Sequence, residues 1–163
     1  MCQIVYYTDG AVSGNGKKDA YGGWAWFCNK TGDKGSGSIL SQATNQICEL
    51  CAVIEACYDA DKWLEPDLFP MPEIVIRTDS AYIYNCWKDK WYQNWQRNGW
   101  KNSKKEAVAN QTLWEELIKF FDNPNYTFEK VKGHAGEPGN EMADKLACEA
   151  KAKAKEMLLN NEQ

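Results

Sequence analysis

Ile4-Val5-Tyr6-Tyr7-Thr8-Asp9-Gly10 is a largely apolar run of β-branched and aromatic residues that ends in an aspartate and a glycine. It has an echo at Ile74-Val75-Ile76-Arg77-Thr78-Asp79-Ser80. Both follow one formula: Ile-Val, two further residues, Thr-Asp, then a small residue. Short runs of this composition read as strands buried on both faces. In open α/β sheets, ligands gather beyond the carboxyl ends of such strands. If the two strands are parallel neighbours, Asp9 and Asp79 sit side by side at that edge. Two adjacent carboxylates repel unless they share a proton or a cation. The alternative is that each aspartate merely opens a turn, as Asp-Gly and Asp-Ser often do.

Working outward from the first run, Gly10–Gly23 is rich in Gly, Ser, Asn and Lys and reads as a loop. Trp24–Cys28 and Lys34–Leu40 read as second and third strands around a turn-like Asn29–Asp33. Thr44–Ala60 reads as a helix. Ile47, Leu50, Cys51, Ile54, Cys57 and Tyr58 share one face, and Glu49, Ala52, Val53, Ala56 and Ala60 lie nearly opposite. A helix apolar on both sides is expected to be sandwiched, so Glu49 heads a buried stripe and needs a partner. After the second Ile-Val strand come a short helix start at Ser80–Trp87, a helix over Asn110–Phe121 and a fifth strand over Tyr126–Val131. A glycine-rich loop with the only histidine, His134, then leads into a last helix, in which Pro138 suits the first turn. The pattern predicts an α/β protein with a mixed sheet and helices around it. At 163 residues it is expected to be a single domain, with its core over about 3–150 and a polar, frayed helical tail over 151–163.

There is no apolar run long enough to span a membrane and no basic-then-apolar leader. Seven cysteines, an odd number scattered through apolar segments, suggest reduced, core-filling thiols in the cytoplasm. Cys48 and Cys51 have zinc-like spacing, but no second pair follows and the spacing equals one helical turn, so packing is the expected role. The net charge of −4 argues against a nucleic-acid partner only as a total. Between Cys86 and Lys105, six basic residues face one acid, a local charge of +5 that leaves −9 for the rest. Trp87, Trp91, Trp95 and Trp100, half of the eight tryptophans, are interleaved with those cations. Cations neutralise phosphates and indole faces pack on sugars or bases. Some of these tryptophans are expected to anchor the segment and others to face a substrate.

Four acids stand out by position: Asp9 and Asp79 end strands, Glu49 opens a buried helix, and Asp144 lies early in the final helix. A carboxylate set with few nitrogen or sulfur donors suits a hard cation such as Mg²⁺ or Mn²⁺. Phosphodiester hydrolysis needs such a set, because two ions can activate water and stabilise the leaving oxygen. A loop histidine that titrates near neutrality can shuttle the proton or help the product leave.

The ordered set Thr8-Asp9-Gly10, Thr44-Asn45-Gln46 with Glu49, Thr78-Asp79-Ser80, Trp95 with Gly99-Trp100-Lys101, and Val131 through His134, Asn140 and Asp144 resembles type 1 ribonuclease H over about residues 3–150. The resemblance implies a five-stranded mixed sheet, the first three strands antiparallel and the others added in parallel, flanked by helices. It also implies cleavage of the RNA strand of RNA–DNA hybrids with two Mg²⁺ ions, Mn²⁺ substituting, to leave 3′-hydroxyl and 5′-phosphate ends. Asp9, Glu49, Asp79 and Asp144 then match the metal-binding carboxylates, and His134 matches the histidine of turnover. Asn45 and Gln46 match amides facing the RNA minor groove, where the 2′-hydroxyl distinguishes RNA from DNA. Trp95, Trp100 and Lys101, with Lys104 and Lys105, belong to a basic protrusion on the DNA strand, and Thr44 and Asn110 match a DNA-phosphate site. Gly10, which lets the RNA backbone approach, and Asn15 complete the substrate contacts. Three departures bear on affinity: Gln42 and Ile47 stand where relatives carry arginine, and Ala81 where some have a longer residue. A monomer is expected, with no separate hybrid-binding segment ahead of the first strand. A non-catalytic hybrid-binding module, a related recombinase, or a reverse-transcriptase nuclease domain are the other readings. The intact acid set and the Asn45–Gln46 pair speak against them.

Overall fold

The computed structural model describes residues 2–67, 69–131 and 136–161. Its elements in order are β1 (Gln3–Ser13), β2 (Tyr21–Cys28), β3 (Lys34–Ile39), α1 (Asn45–Ala60), β4 (Glu73–Thr78), α2 (Ala81–Lys88), α3 (Trp91–Asn98), α4 (Gln111–Phe121), β5 (Tyr126–Lys130) and α5 (Pro138–Asn161). The strands form one sheet in the order β3-β2-β1-β4-β5. β1, β2 and β3 are antiparallel neighbours, and β4 and β5 are added parallel to β1. This is the expected mixed sheet with helices around it.

β1 runs through the middle and is buried on both faces for the reason its composition suggested. Ile4 and Tyr6 join the large core with Leu50, Val53, Ile74, Ile76, Trp114 and Phe128, beneath α1 and α4. Val5 and Tyr7 alternate to the other side and pack with Val75 and Ala143 of α5. α1 starts at a real cap: the Thr44 hydroxyl accepts from the Ile47 N–H at 3.0 Å, with Thr44 itself extended. Ala52, Val53, Ala56, Ala60, Leu50 and Cys57 are all fully buried, so the helix is sandwiched as its two stripes predict. Tyr58 departs from its stripe; it is 47% exposed and hydrogen-bonds Glu116 of α4.

Two readings of the sequence need correction. The Gly10–Gly23 stretch is a loop only over Gly14–Ala20, since β1 continues to Ser13 and pairs Ala11 with Gly23, Val12 with Gly22 and Ser13 with Tyr21. The glycines are there for close packing. A Cβ on Gly22 would lie 2.6 Å from the Cys48 sulfur of α1, and one on Gly23 would lie 2.5 Å from the Lys151 nitrogen of α5. The tail is not frayed either: α5 continues to Asn161, and Ala154 is fully buried. Ala143, Ala147, Ala150 and Ala154 recur at helical spacing, which lets the backbone of α5 lie close against β2 and β3.

Candidate active site

The pairing of β1 with β4 runs from Ile4↔Ile74 and Val5↔Val75 to Tyr7↔Arg77, so the repeated Ile-Val pairs are side by side. Carried two residues further, the same offset sets Asp9 opposite Asp79 at the carboxyl edge. Glu49 reaches them because α1 presses directly on β1. A Cβ on Gly10 would lie 2.7 Å from Cys48 Cβ and 2.9 Å from the Glu49 nitrogen. One carboxylate oxygen from each of Asp9, Glu49 and Asp79 lies within 4.8 Å of the others. Asp144 comes from the second turn of α5. It lines, with Asp9, Asp79, Asn140 and Glu141, a cleft of about 120 Å³.

The electrostatics of this cluster are those of unneutralised acids. Burial, the Asp79 charge and the neighbouring Asp144 carboxyl push Asp9 up to about 8, against the opposing effect of the Gly10 N–H, which donates to its carboxylate at 2.9 Å. Burial first, and then the charges of Asp79 and Asp9, push Glu49 up to about 10. Glu49 Oε2 is buried without a hydrogen-bond partner. Among the described residues none of the four acids is in an ion pair. An orphaned carboxylate oxygen within a group of mutually repelling acids fits a divalent cation, since its oxygen donors are of the kind such ions take.

Around this centre the other expected residues fall into place unevenly. Asn45, at the start of α1, is exposed, and its N–H donates to Asn15 Oδ1 at 2.9 Å, so Asn15 fastens the β1–β2 turn to the helix start. Gln46 Oε1 accepts from Asn110 Nδ2 at 2.5 Å, which joins α1 to the residue that precedes α4, itself at φ 63°. Thr44 uses its hydroxyl as the helix cap. The absent side chain of Gly10 leaves room that α1 fills. Among the departures, Gln42 is exposed with φ 53°, Ile47 is half-buried, and Ala81 is exposed at the start of α2. His134 lies outside the described residues.

The tryptophans of the basic segment differ in burial. Trp95 is 5% exposed, packed 5.3 Å from Trp114 and 5.8 Å from Trp100 between ring centroids, and serves as an anchor. Trp100 is only half-buried. The tip that follows is held by its asparagines. Asn98 Oδ1 accepts from the Lys101 N–H at 3.0 Å, and Asn102 Oδ1 accepts from Lys104 and Glu106 at 2.9 and 3.0 Å. Lys101, Lys104 and Lys105 are thereby presented to solvent. A groove of about 760 Å³ runs beneath, lined by Tyr82, Trp91, Asn94, Arg97, Asn98 and Lys101 among others. Asn140 belongs to the motif that ends at Asp144 but was given no role in the sequence, and Asn94 and Glu141 were given none either.

Sheet order and acid cluster together define an α/β protein with a candidate cation site at the carboxyl edge of two parallel strands. A family model described as RNase H matches residues 1–152. The ribonuclease H of Syntrophomonas wolfei is 44% identical over 153 residues, which cover 92% of this chain and 97% of that protein. The crystal structure of LC9-RNase H1, described as a type 1 RNase H with the type 2 active-site motif, superposes with a TM-score of 0.72 at 27% identity, covering 94% of this chain and 74% of that one. LC11-RNase H1 in complex with an RNA/DNA hybrid gives a TM-score of 0.63 at 26% identity, covering 93% of this chain and 98% of that one. The chain belongs to the RNase H family. Members of that family are nucleases and generally use divalent metal ions.

Proposed function

We propose that this protein hydrolyses the RNA strand of RNA–DNA hybrids as an endonuclease, leaving 3′-hydroxyl and 5′-phosphate ends, with two Mg²⁺ ions that Mn²⁺ can replace. The observation that carries the proposal is the convergence of Asp9, Glu49 and Asp79 within 4.8 Å, on a fold shared with a hybrid-bound relative. Asp9, Glu49, Asp79 and Asp144 would hold the ions. When bound, two such ions supply activation of water and neutralisation of the leaving oxygen.

The rest of the work falls to the chain itself. Asn45 stands exposed at the start of α1 and Gln46 is fixed by Asn110, which suits both amides to reading 2′-hydroxyls. Lys101, Lys104 and Lys105 bind phosphates of the other strand, with Trp100 beside them and Trp95 beneath. His134, the single histidine, carries a proton during turnover. The seven cysteines are free thiols, which suits a reducing compartment such as the cytoplasm. We take the working unit to be a single-domain monomer, since all the proposed parts belong to one chain. The test is incubation with labelled hybrid, duplex RNA and duplex DNA, with and without Mg²⁺. Hybrid cleavage that needs the metal is expected, while cleavage of duplex DNA, or hybrid cleavage undiminished by chelator, refutes the proposal.

A further inference from the structure

The turn between β1 and β2 carries two adjacent cations, Lys17 and Lys18, that belong neither to the acid cluster nor to the protrusion. Both are exposed, and among the described residues neither is in an ion pair. The turn that bears them is firmly held. The Gly14 carbonyl accepts from the Lys17 N–H at 2.8 Å, and the Lys17 carbonyl accepts from the Ala20 N–H at 3.1 Å. Gly14 and Gly16 take φ 78° and 82°, which a residue without a side chain adopts freely. Ala20 is buried with Ala43 and Cys48 at the head of α1. Hydrogen bonds then fasten the turn to that head. The Gly16 N–H donates to the Ala43 carbonyl at 3.1 Å, and the Ala43 N–H donates back to the Ala20 carbonyl at 3.2 Å. The Gln42 N–H donates to the Lys18 carbonyl at 3.4 Å, and the Asn45 N–H to Asn15 Oδ1 at 2.9 Å.

Two consecutive residues of α1 are thus tied to different parts of the chain. Asn45 is bonded to the turn of Lys17 and Lys18, and Gln46 to Asn110, five residues beyond Lys105 of the protrusion. Between Lys34 and Lys62 the chain holds no lysine or arginine, so the head of α1 has no cation of its own. On the turn, Asp19 is the one acid beside the two lysines. An ammonium group outside any ion pair has no partner to give up when it meets a phosphate, and each phosphate neutralised releases counterions. We propose that Lys17 and Lys18 form a phosphate-binding site for the hybrid backbone that runs past Asn45, separate from the contacts of Lys101, Lys104 and Lys105. Asn15 is its fastening, since it holds the turn against the start of α1. This rests on the reading of the chain as a hybrid-binding nuclease with Asn45 at the RNA strand.

The test compares wild type with Lys17→Ala, Lys18→Ala, the double variants Lys17→Ala/Lys18→Ala and Lys17→Arg/Lys18→Arg, and Lys155→Ala, which removes an exposed cation of α5. All these side chains are exposed, so the variants should melt as wild type does. Binding of a labelled hybrid is read by fluorescence anisotropy in chelator over a range of salt. The double alanine variant should raise Kd about tenfold at low salt and flatten the slope of log Kd against log salt by about 0.9 for each phosphate no longer neutralised. Each single alanine variant should show part of that loss, the double arginine variant should keep the wild-type slope, and so should Lys155→Ala. In cleavage with Mg²⁺ the double alanine variant should raise KM with kcat within about twofold, the mark of binding lost equally in ground and transition states. A double alanine variant with the wild-type salt slope, or a loss that Lys155→Ala reproduces, overturns the proposal. Failure of the parent reading looks different: a protein that binds hybrid through these lysines but cleaves none with Mg²⁺ is no nuclease, and its phosphate site stands.

Discussion

Removing one negative charge from the acid cluster should stabilise the metal-free protein, and Asp9→Asn is the cleanest way to do it. Asp9 is raised from an ordinary 3.8 to about 8, chiefly by burial and by Asp79. A carboxyl raised in the folded state binds its proton more tightly there than in the unfolded chain. The associated stability is therefore present below pH 4 and lost as pH climbs towards 8. At pH 7 the shift covers about 3 pK units, an upper limit of roughly 4 kcal/mol. Glu49 and Asp79 share the same repulsion, so about half of that, ~2 kcal/mol, is the expected gain from neutralising Asp9 alone. For a chain of this length that is a rise in Tm of roughly 4–8 °C. The assay is thermal melting in chelator from pH 4 to 8.5. Wild type should lose Tm steeply over this range and Asp9→Asn less so, with a gap that opens from near zero. Added Mg²⁺ should raise the wild type and close the gap. Parallel melting curves, or an Asp9→Asn protein less stable than wild type in chelator at pH 8, refute the account of the cluster as charges awaiting a cation.

Other perturbations follow from the same geometry. Asp79→Asn should lower cleavage by about a hundredfold or more, since even outer partners of a metal site cost 10–100-fold, while hybrid binding by fluorescence anisotropy stays equal or tightens; weaker binding by a folded protein contradicts this. Gly10→Ala should destabilise by about 1–3 kcal/mol by overpacking β1 against α1, and weaken metal binding measured by calorimetry, because Glu49 is pushed from its partners. Thr44→Ala should cost about 1 kcal/mol in denaturant melts and Thr44→Ser much less, because only the hydroxyl is used as the cap. Converting Lys101, Lys104 or Lys105 to Ala should weaken binding similarly across hybrid sequences and flatten the salt dependence of log Kd by up to about 0.9 for each phosphate that is no longer neutralised. An unchanged salt slope in all three removes the protrusion from the binding surface.

How far the sequence could be read depended on whether the signal was local. The two Ile-Val runs were legible as strands because burial on both faces leaves little choice of residue, and once the register pairs them in parallel their equal spacing to Asp places both acids at one edge. Glu49 was legible because it interrupted a stripe of small, apolar residues at helical period. Close packing was not legible. Gly22 and Gly23 look like loop residues until two helices are seen pressing on them from opposite faces. Ala154 belongs to a buried stripe hidden among lysines. Trp95 and Trp100 have the same local composition around them, and only the position of Trp114 separates anchor from half-exposed neighbour. The hydrogen bonds from the Arg77 guanidinium to Tyr7 and Glu129 need the register of three strands, which no single segment encodes.

The order of Asp9 and Gly10 shows why the opening run has to end as it does. Along β1, residues alternate between the α1 face and the α5 face: Ile4 and Tyr6 go one way, Val5 and Tyr7 the other. Asp9 continues the second series, towards the side from which Asp144 of α5 approaches, and the two line one cleft. Gly10 continues the first, and its missing side chain is what allows the first turn of α1 to sit on the strand and deliver Glu49. Reversing the pair would send a carboxylate into the α1 interface, where a Cβ alone already lies 2.7 Å from Cys48, and would put a glycine where Asp144 expects its partner. One strand end thus gathers acids from both helical layers, and it does so by alternation alone, before any ion is bound.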